Sequence, residues 1–441
     1  MPAPLHLIET PGTLPAAADC VVIGGGIVGV SAAYWLARAG QKVVLLEKGS
    51  VGAEQSSRNW GWCRQQNRDA RELPLSTHSL RLWEEMAADT GDSLGFSRCG
   101  LLYLSNSAEE IEGWAKWGRY ARGVGVDTRM LTAAEAAERG TATGQHWVGG
   151  VWSPSDGIAD PSRAAPMIAK GILKHGGHVI QNCAARGVEL AAGRVAGVIT
   201  EKGVIRTSAV VLAGGAWAGS FLHQLGIFFP QASARSSILA LAPGATGIPD
   251  ALYTAGISVT RRGDGGRTLA ISGRACLDPT QGALAGIRHF LPMFARRWRS
   301  LRPGGMQAWQ AGFETRSRWA LDRPTPMERT RILDPRPSAR IIRETLARAR
   351  RLVPGLRDST VQATWAGYID STPDGVPVID ADIGIPGLVL AAGLSGHGFG
   401  IGPGVGHLIA DMLLARPPIA EIKAYRLARF GQSQWGKVAE F

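Results

Sequence analysis

The sequence predicts a mixed α/β and α+β protein: a β-α-β unit near the amino terminus, antiparallel hairpins in the middle, and a returning strand with a glycine-rich turn near the far end. Three observations carry this. Cys20-Val-Val-Ile23 is a wholly apolar run of strand length that leads straight into Gly24-Gly-Gly-Ile-Val-Gly29. The stretches 187–205 and 257–273 read as hairpins, the second turning at Arg262-Gly-Asp-Gly-Gly266. Finally, 441 residues with 45% apolar and 19% charged side chains can bury sizeable cores, about two to four domains at roughly 100–200 residues each. A disordered or fibrous chain is excluded.

Taken in order, the first strand 20–23 is followed by a helical stretch Val30 to Ala39, closed by Gly40, and by a second apolar strand, Val43 to Leu46, ending in Glu47. Further helical patterns occupy Leu73 to Thr90, Ala108 to Val124, Pro161 to His175, Ala339 to Leu352 and Gly404 to Leu414. There is no fixed-period repeat and no low-complexity tract. The five cysteines, Cys20, Cys63, Cys99, Cys183 and Cys276, are scattered without ligand spacing, so neither a disulfide scaffold nor a metal site is expected. MPAPLHLIET lacks the basic and apolar regions of a signal peptide, and 209–230, the most apolar stretch, is broken by Gly, Trp, His and Gln. A cytoplasmic location is expected, with no membrane-spanning helix.

Gly24, Gly26 and Gly29 stand at G-x-G-x-x-G spacing. The first permits a tight turn, the second admits a pyrophosphate against backbone, and the third lets helix pack on strand while its N-terminus faces phosphate. Glu47, at the end of the second strand, is placed to accept from both ribose hydroxyls and disfavours a 2′-phosphate. This predicts a dinucleotide but does not separate NAD from FAD. Two further segments do. The loop 52–61 is rich in hydroxyls, amides and small residues, suited to running along a pyrophosphate towards a ring system. Far downstream, 387–400 reads as a strand feeding a turn packed with Gly393, Gly396, Gly398 and Gly400, opening a helix at Gly404. A helix N-terminus there would stabilise charge on a reduced isoalloxazine. Two separated segments imply a discontinuous domain around a long cofactor.

With these residues in place the chain resembles the FAD-dependent D-amino-acid oxidase superfamily, in particular its glycine/sarcosine oxidase, D-amino-acid dehydrogenase and bacterial amino-acid deaminase branches. The resemblance runs through the 24–47 unit, the Ser56-Ser-Arg-Asn-Trp-Gly61 loop, Val210 to Trp217, Trp365-Ala-Gly367 with Thr372 to Pro377, and Gly396-His-Gly398. It implies a Rossmann-like FAD-binding domain made of 18–85, 150–225 and 360–418, an antiparallel-sheet substrate domain made of 86–149 and 226–359, and a tail, 419–441. It implies FAD contacts at Gly24, Gly26, Ile27, Val28, Gly29, Glu47, Lys48, Ser56, Ser57, Arg58, Asn59, Gly61, Gly214, Trp217, Gly393, Gly396, His397, Gly398, Phe399 and Gly400. The adenine would meet the strand at Ala185 or Val188. Between Trp365 and Asp374 there is no Cys, so the FAD is expected to be non-covalent.

The same resemblance implies hydride transfer from an amine Cα–H to flavin N5, leaving an imine that water hydrolyses to an oxo acid. That chemistry needs positioning more than a strong base. A substrate carboxylate wants an arginine fork. Where some members place one, after Trp365-Ala-Gly367, this chain has Tyr368, Ile369 and Asp370. The candidates are therefore Arg64 with Gln65 and Gln66, then Arg274 and Arg288. Asp370 could instead meet a cationic substrate end. His397 is a candidate for ring or substrate contact, and Tyr253, Tyr368 and Trp365 for pocket walls. No Lys occurs between Lys202 and Lys423, which removes the lysine that sarcosine-branch oxidases use towards O2. The expected acceptor is O2 or a quinone-type carrier, the second gaining weight.

The formal charge is +12, and nearly all of it lies between Arg288 and Asp358, which hold 17 Arg, no Lys and 6 acids. A uniformly basic nucleic-acid binder would not look like this, and no nucleic-acid partner is expected. Within it, 288–302 interleaves arginines with Phe290, Leu291, Met293, Phe294, Trp298 and Leu301. The stretch suits an amphipathic helix packed on the substrate domain, or peripheral contact with the inner face of the cell membrane. Two other readings remain at this point: a NAD-linked Rossmann dehydrogenase, and a flavin-binding RNA or membrane adaptor.

Overall fold

The computed structural model describes residues 3–254 and 256–438. A six-stranded sheet forms one half of the molecule, in the order Val378–Asp380, Leu388–Ala392, Val210–Leu212, Cys20–Ile23, Val43–Leu46, His178–Ile180. All neighbours are parallel except the first pair. The inner strands are apolar on both faces because both are covered. One face packs on the helices Ile27–Arg38, Ala164–Lys174 and Gly398–Leu413. The other packs on a three-stranded antiparallel sheet, Ala185–Ala191, Arg194–Thr200 and Gly203–Arg206.

The second half is a ten-stranded sheet, mostly antiparallel. Its longest pairing sets Ala232–Leu241 against Val361–Ser371, with Ser236 opposite Gly367. The hairpin Ile257–Arg261 to Arg267–Ile271 forms as expected, since Gly265 takes the positive φ its turn requires. The helix Ala339–Leu352 covers one face with a buried stripe of Ile341, Thr345, Ala349 and Leu352, the Thr345 hydroxyl donating to the Ile341 carbonyl.

Several expectations are corrected. The strand Gly149–Ser153 pairs with Leu101–Ser105 in the large sheet, and Val361–Ser371 also belongs there, so the boundaries at 150 and 360 fall inside the substrate-side sheet. The first helix begins at Ile27, three residues earlier than expected, because the turn at Gly24 (φ +112) delivers the chain directly into it. The far helix begins at Gly398, so Gly398, Phe399 and Gly400 are its first turn. The tail forms short 3₁₀ turns at Ile422–Tyr425 and Leu427–Gly431, and 439–441 lie outside the described residues.

The helices Ile27–Arg38 and Gly398–Leu413 touch backbone to backbone. A Cβ on Gly406 would lie 2.4 Å from the Ser31 Cβ, and one on Gly402 would lie 2.7 Å from the Ile27 side chain. Neither neighbour can withdraw, since Ile27 and Ser31 are buried in the first turns beside the glycine loop. Gly406→Ala is therefore expected to destabilise the protein by about 1–3 kcal/mol. Gly113→Ala, on an exposed helix with open space around it, should be neutral or stabilising by up to about 1 kcal/mol. Thermal unfolding of the two variants checks the contrast.

Candidate active site

A single cleft of about 2050 Å³ runs between the two halves. At one end it is lined by Gly24, Gly26, Ile27, Val28, Glu47, Lys48, Ser56, Cys183, Ala185, Gly214 and Trp217, and in its middle by Asp370, Gly396, His397, Gly398 and Phe399. Two long helices start on this cleft, at Ile27 and at Gly398, and neither has a side-chain cap or an acidic residue in its first turn. Apart from the Ile27 N–H, which Ser56 takes, their first-turn N–H groups are available to anions. Gly24 and Gly29 cannot carry side chains: a Cβ would lie 2.3 Å from the Ala213 carbonyl oxygen and 1.9 Å from that of Gly24. Ser56 Oγ accepts from the Ile27 N–H at 2.8 Å and pins the loop to the helix start. Glu47 accepts from the Gly25 and Gly49 N–H groups, both at 2.7 Å, which fixes its carboxylate at the rim of the glycine turn. A cradle closed to side chains, two helix starts whose N-cap residues give no side-chain cap, and a fixed acid at the end of the second strand fit a dinucleotide as long as FAD.

Other residues implied as FAD contacts stand behind the cleft. Gly29 serves the helix-to-strand approach. The Ser57 hydroxyl donates to the Glu54 carbonyl, and Gly61 packs on the Ala159 carbonyl. Gly393 donates to Asp370 at 2.8 Å, and Gly400 lies against the Trp62 carbonyl, where a Cβ would meet it at 2.8 Å. Val188 sits in the core opposite Val198, while Ala185 of the same strand faces the cleft. Arg58 and Asn59 line the cleft but are committed to protein. Arg58 binds Asp334 at 2.6 Å and the Ala366 carbonyl, and Asn59 braces its own loop. Lys48 bonds Glu54 and the carbonyls of Thr330 and Arg331, and lies over the Trp217 ring.

On the substrate side, Gln65 and Gln66 are corrected. Both are buried away from the cleft: Gln65 bonds Thr77 and Ser155, Gln66 bonds Asn67 and Thr128, and their N–H groups donate to Asp156. Their role is to shape the loop that carries Arg64. Arg288 is exposed on the solvent side of its helix, and Trp365 is buried in a separate cluster. Tyr368 faces the cleft but donates to Asp278 at 2.9 Å, and Asp278 is also gripped by Arg235 through two bonds of 2.8 and 3.0 Å. Asp370 is pushed up to about 6 by burial and accepts from Gly393 and Gln231, so it braces the turn. Arg64, Tyr253, Arg274 and His397 do line the cleft. So do Trp62, Arg68, Tyr103 and Trp114, which the sequence did not single out.

His397 stands at the N-cap of the far helix, fully buried, with Nδ1 2.9 Å from Glu72 Oε2. Burial pushes Glu72 up to about 8. Burial, with the charges of Arg68, Arg64 and Arg297, holds His397 well below the ordinary histidine range. Near neutral pH the pair thus carries no net charge, leaving the helix start and the nearby arginines as the local positive elements. The folded carboxyl keeps its proton up to about pH 8, while an unfolded one releases it at about 4. The folded state binds the extra proton across that window, so stability falls as pH rises through it. Thermal unfolding of wild type and Glu72→Gln between pH 5 and 9 should show the wild type losing ground to the variant, by a few kcal/mol at most.

A parallel sheet whose helix starts converge on one long cleft, closed by an antiparallel sheet, defines a two-domain flavin-type oxidoreductase scaffold. The family model described as DAO, FAD dependent oxidoreductase, matches residues 19–412, and the chain belongs to that family. The NAD-linked reading falls away, since the cofactor of this family is FAD. L-amino acid deaminase from Proteus myxofaciens, in complex with anthranilate, is similar with a TM-score of 0.91 and 26% identity over 97% of each chain. L-amino acid deaminase from Proteus vulgaris gives 0.90 and 28% over 96% of this chain and all of the other. Glycine oxidase from Geobacillus kaustophilus is 24% identical over 93% of this chain and 97% of its own. Human mitochondrial sarcosine dehydrogenase is 23% identical over 95% of this chain, which spans only 42% of that protein.

Proposed function

We propose that this chain oxidises an amino acid or a related primary or secondary amine, using FAD. The observation that carries this is the continuity of one cleft from the glycine cradle, past the helix start at His397, into a compartment lined by Arg64, Arg274 and aromatic side chains. Bound FAD would supply the two-electron acceptor, taking hydride from Cα at its N5. The amine nitrogen loses a proton to solvent, and water converts the imine to an oxo acid and ammonia or an amine. The chain's own part is to seat the carboxylate on an arginine, exclude bulk water with Trp62, Trp114 and Tyr103, and keep the His397–Glu72 pair uncharged beside the helix start.

The acceptor in this reading is O2 or a quinone. The helix Gln281–Arg297 favours an interfacial site for the exchange. It edges the cleft and leaves Leu284, Ile287, Leu291 and Phe294 about half exposed, with Trp298 just beyond it and arginines on both sides. Among the described residues no helix is long and apolar enough to cross a membrane. The proposal is peripheral binding to an anionic bilayer at the inner face of the cell membrane, through apolar insertion and arginine pairing with headgroups.

Two experiments test these readings. The purified protein should be yellow, with a flavin absorption band in the visible, and anaerobic addition of D- and L-amino acids and N-methyl amines should bleach it with at least one of them. If none does, the amine-oxidising reading is lost. In sedimentation with phosphatidylglycerol vesicles the protein should pellet, and Leu291→Asp with Phe294→Asp should release it. Equal pelleting with neutral phosphatidylcholine, or no pelleting at all, would end the membrane proposal.

A further inference from the structure

The substrate end of the cleft holds more positive charge than one carboxylate would satisfy. Arg68 is 3% exposed and lines the cleft, yet it forms no ion pair among the described residues. Its Nε reaches only the Arg64 carbonyl, at 3.4 Å, and its enclosed Nη1 has no partner. Burial and the adjacent Arg64 charge pull it down to about 10. The acids around it are spoken for. Glu72 is bonded to His397 and holds its proton to about pH 8, Asp156 is taken by the N–H groups of Gln65 and Gln66 and the Ser153 hydroxyl, and Asp69 is gripped by Arg71. Arg64 beside it donates to the Gln66 carbonyl and, at 3.2 Å, to the Tyr103 hydroxyl, again with no carboxylate. A buried guanidinium without a counter-charge is unfavourable unless an anion comes to it.

Farther along the same cleft, Arg274 is more weakly satisfied than a surface arginine, with a side chain 28% exposed and one long ion pair. Arg274 Nε is enclosed without a hydrogen bond. Its nearest carboxylate oxygen, on Glu344, is 3.7 Å away and is already bonded to Arg348 at 2.8 Å. Between the two arginine positions stand Tyr103 and Tyr253, register partners on adjacent strands of the large sheet, whose ring centroids are 5.2 Å apart. Arg64 is bonded to the first tyrosine, and the second is bonded to Ser272, two residues before Arg274.

We propose that the amine taken by this cleft carries two anionic groups, one seated on Arg64 and Arg68 and the other on Arg274, with the tyrosine pair between them. The inference rests on the amine-oxidising reading and narrows its substrate class to dicarboxylic amines. A substrate with one carboxylate would leave either Arg64 and Arg68 without a counter-charge or Arg274 with only the long, shared contact to Glu344.

The test uses the FAD-loaded protein and ligands that cannot be oxidised, so it does not depend on turnover. Glutarate and butyrate have similar chains and differ in the second carboxylate. Titrated against the flavin spectrum or by calorimetry, glutarate should bind about tenfold or more tighter than butyrate. Arg68→Met and Arg274→Met should each remove most of that difference, and Arg68→Lys should keep much of it. Equal affinity of wild type for the two ligands would overturn the proposal, and so would an Arg68→Met protein that weakens both alike. If Arg68→Met does not retain FAD, the Arg274→Met comparison decides on the same criterion. Flavin bleached by dicarboxylic amines and unaffected by monocarboxylic ones agrees with it. A protein that shows the glutarate preference but is bleached by no amine keeps the dianion site and loses the redox reading.

Discussion

Everything at the cofactor end depends on how closely two helices approach each other. Ile27–Arg38 begins at the glycine turn of the first strand, and Gly398–Leu413 begins at the turn after the last parallel strand. Their separation decides whether both N-termini can face one cleft. Gly402 and Gly406 remove the side chains that would hold them apart, and Ser31 and Ile27 fill the space left. A third contact fixes the pair from outside. The Ser79 hydroxyl accepts from the Gly404 N–H and donates to the Ile401 carbonyl, and Trp83 donates to the Gly400 carbonyl. The packing is tight enough that small volume changes propagate to the site.

The charge distribution obeys a different logic. Of the chain's arginines, many near the cleft are already satisfied: Arg58 by Asp334, Arg235 by Asp278, Arg331 by Glu201. The first and third pairs join the substrate side to the cofactor side, while Arg235–Asp278 ties two neighbouring strands of the large sheet. Those whose partners are missing or distant, Arg64, Arg68 and Arg274, gather at its substrate end. Apart from Arg331, these arginines lie outside the basic segment 288–358, so the charge that faces the ligand is not the charge that makes the chain basic.

Much of this was legible in the residues, for definite reasons. The strands Cys20–Ile23 and Val43–Leu46 were readable because buried parallel strands tolerate nothing polar, and the glycine turn because its spacing is a steric requirement. The start of the far helix was misplaced because four glycines and a proline argue for a turn when propensity alone is weighed, and close packing reverses that preference. Gln65 and Gln66 looked like substrate ligands because amides next to an arginine suit a carboxylate. What assigned them otherwise was Asp156, distant in sequence, which draws their backbone inward. Arg68 and Glu72 were invisible for a related reason. A charged pair one turn apart normally reads as a solvated helix face, and only the docking of His397 shows that this one is enclosed.

The contact between Ser79 and Gly404 spans 325 residues of chain. That distance gives the site a history in time as well as a place in space. During synthesis the β-α-β unit emerges early, with its glycine loop and apolar helix complete but without the surface that covers them. The polypeptide must then be extended through the whole substrate half before the covering helix exists. At about 5–20 residues per second, the interval is tens of seconds. Through that interval the nascent chain carries an exposed, unfinished cradle, so cofactor capture belongs to the last stage of maturation.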